Sequence, residues 1–195
     1  MDSLAYYNAN ATDYYTSTVH LKLETLYAPF LNLLGKNKTI LDLGCGSGRD
    51  SKYFLSCGHT VTSVDGSKEL IKLASRHIGK EVLLLDFNEL DYKNEFDGIW
   101  ACASLLHIPK KEISHIFKLL AKALKPEGYL FTSFKHGSDE IIIENRLFNN
   151  YTATSFSKFI SGQTGFKTVK IWKTKSLRED RNKTIWLNLI LKCTK

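Results

Sequence analysis

The chain has 195 residues, 43% of them hydrophobic and 24% charged, with a formal net charge of +7. That balance excludes a disordered or fibrous chain and fits one domain with a substantial core. No apolar run approaches the roughly 20 residues that span a bilayer, and the first residues lack the basic-then-apolar order of a signal peptide. The four cysteines, Cys45, Cys57, Cys102 and Cys193, are scattered without a Cys-x-x-Cys pair. They read as reduced thiols of a cytoplasmic protein, with no metal site. The lysines are dispersed rather than blocked, so the charge reads as a solvated surface before it reads as a nucleic-acid or membrane face.

Residues 12–34 read as helical, because Leu23, Leu26, Tyr27, Phe30, Leu31 and Leu34 recur at spacings of three and four,. Pro29 lacks an N–H, which predicts a break there. The preceding "YYNANATDYY" is too polar to be core. A strand–helix rhythm follows. "KTILDL" is a strand, then a glycine loop and a short helix through Tyr53, Phe54 and Leu55, then the strand "HTVTSVD". "SKELIKLASRHIG" is a helix, capped by Ser67 and ended by Gly79,. "EVLLLDF" and "FDGIWACAS" are the third and fourth strands. "PKKEISHIFKLLAKALKPEG" is a helix starting at Pro109, with Ile113, Ile116, Phe117, Leu120 and Leu124 on its buried face,. "YLFTSF" is the fifth strand, a helix lies near residues 153–164, and "KTVKIWKT" and "TIWLNLILKC" pair antiparallel across a short loop,. The expected fold is α/β, a Rossmann-like doubly wound and mostly parallel seven-stranded sheet with an antiparallel C-terminal strand. It is read as one domain over 1–195, with 1–34 as an N-terminal helical lid on a core of 35–195.

The stretch with most chemistry is "ILDLGCGSGRDS". Glycines after a strand permit positive φ and close approach of backbone to a ligand. The dinucleotide fingerprint Gly-x-Gly-x-x-Gly would need its last glycine at 49, which is arginine,. The order Gly44-Cys45-Gly46-Ser47-Gly48-Arg49 after Asp42 resembles motif I of class I S-adenosylmethionine-dependent methyltransferases. Asp65 ends the second strand roughly twenty residues after the first loop glycine, where a carboxylate can accept ribose hydroxyls. The resemblance implies that Asp86 receives an adenine amino group and that Phe87 packs on the ring. It covers residues 12–134 most closely, with "LKPEG" standing where the family has "LKPGG". It implies S-adenosylmethionine as cofactor, S-adenosylhomocysteine as product, and a cofactor site of Asp42, Gly44, Cys45, Gly46, Gly48, Arg49, Asp65, Gly66, Ser67, Asp86, Phe87, Ser104 and Leu105.

The acceptor side is read from the end of the fourth strand. The Asn/Asp-Pro-Pro-aromatic motif of amino methyltransferases, the Pro-Cys nucleophile of cytosine methyltransferases and the paired glutamates of arginine methyltransferases are all missing. "SLLHIP" resembles the small-molecule branch, including tellurite-resistance-type and quinone-type methyltransferases. His107 is the first catalytic candidate, as base or substrate ligand; packing beside the cofactor is the alternative. Tyr14 and Tyr15 are candidates on the lid, with Tyr15 catalytic and Tyr14 touching substrate. Lys135, Tyr151, Arg178 and Arg181 are candidate substrate contacts, with His136 and Trp172 nearby. The two arginines can hold an anion or pair with Glu179 and Asp180. A small, anionic or aromatic acceptor is expected. RNA or protein methylation through the basic surface, and a non-catalytic cofactor-binding role, are the alternatives. The chain is expected to act as a monomer or homodimer, off the membrane.

Overall fold

The computed structural model describes residues 3–162, 165–178 and 182–195. The chain enters through three helices, α1 (Ser3–Ala9), α2 (Ala11–Thr18) and α3 (Glu24–Leu34). Strand–helix alternation follows with β1 (Thr39–Leu43), α4 (Arg49–Ser56), β2 (Thr60–Asp65), α5 (Lys68–Ile78), β3 (Leu83–Leu84), β4 (Phe96–Ala101) and α6 (Ile113–Ala123). It ends with β5 (Leu124–Lys135), β6 (Glu140–Ile143), β7 (Arg146–Asn149), α7 (Ala153–Ser161), β8 (Phe166–Lys175) and β9 (Ile185–Cys193).

Seven strands form one sheet in the order β3-β2-β1-β4-β5-β9-β8. The first five are parallel, and β9 runs antiparallel to both β5 and β8. This is the expected architecture. Alternate residues of each strand serve opposite faces. Ile40, Trp100, Phe131 and Ile190 pack with Phe30 of α3 and Phe54 of α4. Leu41, Ile99, Leu130 and Leu189 pack with Ile116 and Phe117 of α6 and Phe156 of α7. The chain winds from β1 outward to β3, then crosses back to β4. The strand order therefore reverses between β1 and β4, which opens a crevice at their carboxyl ends.

Several local expectations need correction. The helix break lies between α2 and α3, and α3 runs through Pro29. The lost hydrogen bond there is offset by burial of Leu26, Tyr27, Phe30 and Leu34,. α3 is thus a core helix. β3 pairs over just Leu83–Leu84 at the sheet edge, with the two side chains 40% and 54% exposed. Leu124 opens β5 rather than closing α6, because it pairs with Phe96 before a register shift. The hairpin of β6 and β7 was not anticipated. Its turn places Glu144 and Asn145 at φ 50° and 61°, the backbone that a two-residue hairpin connection requires. Among the described residues, no helix is long and apolar enough to cross a membrane, and no group of three or more His, Cys, Asp or Glu could hold a metal ion.

Candidate functional site

The glycine loop leaves β1 and is tied to β2, since the N–H groups of Gly44 and Cys45 both donate to the Val64 carbonyl at 2.9 Å. Gly44 has φ +75°, and a Cβ there would lie 2.6 Å from the Ser104 Cβ. No other residue fits that approach of the loop to the end of β4. A Cβ on Gly46, at φ +56°, would reach the Tyr14 ring at 3.0 Å. The bare backbone therefore faces the covering helices.

Asp65, at the end of β2, is buried. Its Oδ2 accepts from the Gly46 N–H and its Oδ1 from the Ser67 N–H, each at 2.8 Å. Burial pushes its pKa up, against the pull of these backbone bonds. Each oxygen retains a lone pair for a further donor. A cavity of about 650 Å³ opens beside it. Gly44, Gly46, Asp65 and Gly66 form one wall, and Leu85, Asp86 and Phe87 form another. Asp86 turns one oxygen, Oδ1, to the backbone and side chain of Asn88 at 2.8 and 2.9 Å. Ser104 also lines the cavity, and its buried Oγ has no partner. Bare glycine backbone, a pinned carboxylate and an unpartnered hydroxyl fit an adenosine joined to an amino-acid tail, and the volume suits such a molecule.

Other expected cofactor residues lie outside that wall. Asp42 is beneath the loop, where Ser51 donates to it at 2.6 Å, and burial raises its pKa. Cys45 packs with Ala74 and Val82, and burial pushes its thiol up. Gly48 sits against Ile78 of α5. Ser67 caps α5 and donates to Asn8 of α1 at 2.8 Å. Leu105 is in the core. Arg49 lines a different cavity; its Nε and Nη2 hold both oxygens of Asp50 at 2.6 and 2.9 Å.

That second cavity, of about 160 Å³, meets the first at Tyr7, Tyr14, Ala103 and His107. His107 is the hinge of the junction. Its Nδ1 lies 2.7 Å from the Leu147 carbonyl, which can only accept, so Nδ1 carries the hydrogen,. In the neutral ring, Nε2 is then the acceptor for the Tyr7 hydroxyl at 2.8 Å. Burial above all, then the charges of Arg146 and Lys135, bring the imidazole pKa down to about 4. Tyr7 also packs edge-on against Tyr14, and burial raises the Tyr14 phenol. Ala103 holds φ +53°, unusual for a residue with a Cβ, while its N–H donates to Ser133 Oγ at 2.8 Å,.

Lys135 and Arg178 line the second cavity. Tyr15 does not reach either cavity; it sits edge-on to His77. Neighbouring helical positions point about 100° apart, so Tyr14 and Tyr15 cannot face one site together. Tyr151 is buried among Phe134, Phe156 and Phe159. His136 bridges to Tyr151 through the backbone, and Trp172 packs on Phe131. Arg181, with Glu179 and Asp180, lies outside the described residues. Sequence reasoning missed Tyr7, Ala103 and Asn188. The paired tyrosines of "YYNANATDYY" carried a signal for Tyr7, seven positions before Tyr14.

Residues 40–128 match the model of a family described as a methyltransferase domain. The ubiquinone biosynthesis O-methyltransferase of Hydrogenovibrio crunogenus is 30% identical over 105 residues, covering 50% of this chain and 43% of that protein. Its counterpart in Coxiella burnetii is 34% identical over 104 residues, covering 50% of this chain and 44% of that one. The chain thus spans a little under half the length of these relatives. Among solved structures, the 1,6-didemethyltoxoflavin-N1-methyltransferase of Burkholderia thailandensis, bound to 1,6-didemethyltoxoflavin and S-adenosylhomocysteine, superposes with a TM-score of 0.79 at 22% identity, over 98% of this chain and 85% of that chain. The magnesium protoporphyrin IX methyltransferase of Synechocystis with bound S-adenosylmethionine has a TM-score of 0.74 at 17% identity, over 100% and 98% of the two chains.

Proposed function

We propose that the chain is a class I S-adenosylmethionine-dependent methyltransferase that transfers a methyl group from that cofactor to a small-molecule acceptor, a reading supported by the methyltransferase-domain match over residues 40–128. The observation that carries this reading is the junction of two cavities at Tyr7, Tyr14, Ala103 and His107. One has glycine backbone and a buried carboxylate; the other has room for a small molecule only. When bound, S-adenosylmethionine supplies a methyl group activated by its sulfonium.

Asp65 holds the ribose hydroxyls on its remaining lone pairs, while Gly44 and Gly46 admit the amino-acid tail against bare backbone. Asp86 and Phe87 serve the adenine. Tyr7 and Tyr14 cover the junction and exclude water. His107 and Tyr7 manage the acceptor's proton. The acceptor hydroxyl passes its proton to the Tyr7 oxygen as the phenolic proton moves to His107 Nε2, and Nδ1–H stays on the Leu147 carbonyl. A negative charge on the acceptor favours the imidazolium that results, which burial alone opposes.

Protein incubated with methyl-labelled S-adenosylmethionine and a metabolite mixture is expected to move label into the small-molecule fraction; label found only in RNA or protein would refute the reading. Asp65→Ala removes two charged hydrogen-bond acceptors, each worth about 1.5–3 kcal/mol. Cofactor affinity by calorimetry should therefore fall roughly a hundredfold or more. An unchanged Kd would remove Asp65 from the site.

A further inference from the structure

We propose that Arg146 is a positioning residue for methyl transfer: its guanidinium seats α1 so that the Tyr7 hydroxyl meets His107, and its charge lies near the imidazole that receives the proton. This role rests on the methyl-transfer reading and adds to it the group that assembles the Tyr7–His107 pair. Arg146 opens β7 and is 2% exposed. Its guanidinium carbon lies 3.7 Å from the centroid of the Tyr6 ring, 5.3 Å from that of Phe148 and 5.9 Å from that of Tyr7. All three are within reach of a cation–π attraction, which strengthens as water is removed.

The helix that Arg146 meets needs an anchor. α1 has seven residues and none of them is buried, and a helix that short does not hold itself. On the cofactor side, Asn8 Oδ1 accepts from Ser67 Oγ at 2.8 Å and from the Glu69 N–H at 3.2 Å. On the acceptor side, Arg146 stacks on Tyr6, whose ring meets Tyr7 edge-on at 5.6 Å. Tyr7 in turn meets the His107 ring at 5.3 Å, with its hydroxyl 2.8 Å from Nε2. β7 holds the other side of the imidazole. The Leu147 carbonyl takes Nδ1–H, and Phe148 packs on the ring at 5.1 Å. Arg146 joins the two sides, because it lies against Tyr6 and Tyr7 on one and Phe148 on the other.

Packing alone does not account for a guanidinium here. Glu144 at the hairpin turn pairs with it, but that carboxylate is 60% exposed, and Arg146 Nε is buried without a partner. A buried ion pair adds little net stability over apolar side chains of similar volume. The charge acts instead on His107. Among the described residues, the titratable and charged groups that face the imidazole are Tyr7 from α1, Arg146 from β7, with Glu144 behind it, and Lys135 from β5. Burial is the first cause of the imidazole's lowered pKa, and Arg146 is the larger of the two charges that add to it. The cation therefore keeps the resting ring neutral and able to accept a proton, and it helps the imidazolium give that proton up after transfer.

The test is nuclear magnetic resonance on the full chain carrying nitrogen-labelled histidine, with the His107 signal assigned as the one that His107→Gln removes. Calorimetry with S-adenosylhomocysteine reports that each variant is folded. In the wild type the imidazole is expected to titrate at about 4 and to show an Overhauser contact with the Tyr7 ring. Arg146→Gln should raise that pKa by roughly half a unit or more, the effect of one partly screened charge nearby, and should weaken the contact severalfold. Arg146→Lys keeps the charge without the planar stack, so the pKa should stay low while the contact weakens. Tyr6→Leu removes the stack from the surface helix and should also weaken the contact, which keeps the test decisive if the hairpin variants do not fold. An imidazole pKa or a Tyr7 contact that Arg146→Gln leaves unmoved overturns the inference, as does a contact unmoved by Tyr6→Leu, and the methyl-transfer reading then survives. Failure of the wild-type protein to hold S-adenosylhomocysteine overturns both.

Discussion

His107→Gln is expected to lower kcat about a hundredfold, the lower range for loss of a positioned proton acceptor, with cofactor affinity unchanged. Glutamine keeps a polar group near Leu147 and Tyr7 but cannot take up a proton. Tyr7→Phe breaks the same relay at its other end and should act similarly, and the double variant should be little worse than either single one. The pH dependence is a second check. The free protein's imidazole titrates at about 4, below the usual ~6.5, and the neutral ring is the competent form. kcat/KM, which reports the free enzyme, should hold its plateau well below pH 6 and fall only near pH 4. A limb near 6.5 would mean that the ring is solvated and outside this relay. The same depressed pKa makes a stability contribution that is present above about pH 6.5 and lost as pH falls toward 4. Circular dichroism across that window separates unfolding from loss of catalysis.

Asp50→Ala is expected to cost about 3–5 kcal/mol of stability, the range for stripping a buried ion of its partner. Asp50 is buried at the start of α4 and accepts four hydrogen bonds. Arg49 donates two, Tyr27 one at 2.5 Å and Trp100 one at 2.8 Å. Burial works against the carboxylate, but the Arg49 charge and the bonds from Arg49, Tyr27 and Trp100 hold its pKa below the usual range. The variant would strand a guanidinium, a phenol and an indole N–H in one place. The loss should appear as a fall in Tm of roughly 10 °C, at 2–4 °C per kcal/mol for this chain length. Asp50→Asn keeps one acceptor and should lose less. A fall of under about 1 kcal/mol, the level of an exposed ion pair, would show that the cluster is solvated. Arg49 also donates to the Thr18 carbonyl at 3.4 Å, so loosening the cluster should free the end of α2 and the cover over the cleft.

The legible part of the site was the part fixed along the chain. Gly44, Gly46, Asp65 and Asp86 sit where strands end, and a parallel sheet brings those ends to one edge whatever the details of packing. The mostly parallel sheet was legible too, from the alternation of strands and helices, though its strand order was not. What escaped depends on rotation and register. One residue of helix rotation separates Tyr14 over the loop from Tyr15 on His77. Tyr7 lies in a segment with no apolar stripe, so the sequence carried no face to orient it. Asn188 and Ser133 become neighbours only through the antiparallel pairing of β5 with β9. Tyr151 is a candidate substrate contact by sequence, yet the β6–β7 hairpin carries the chain back so that its ring is buried among Phe134, Phe156 and Phe159. Arg49 marked a departure from the dinucleotide pattern, but it serves Asp50 and the second cavity.

The most direct test of this account is calorimetry of the wild-type protein with S-adenosylmethionine, S-adenosylhomocysteine and NAD in turn. The account predicts saturable one-to-one binding of the first two and no heat from NAD. Binding of NAD, with none of S-adenosylmethionine, would contradict it.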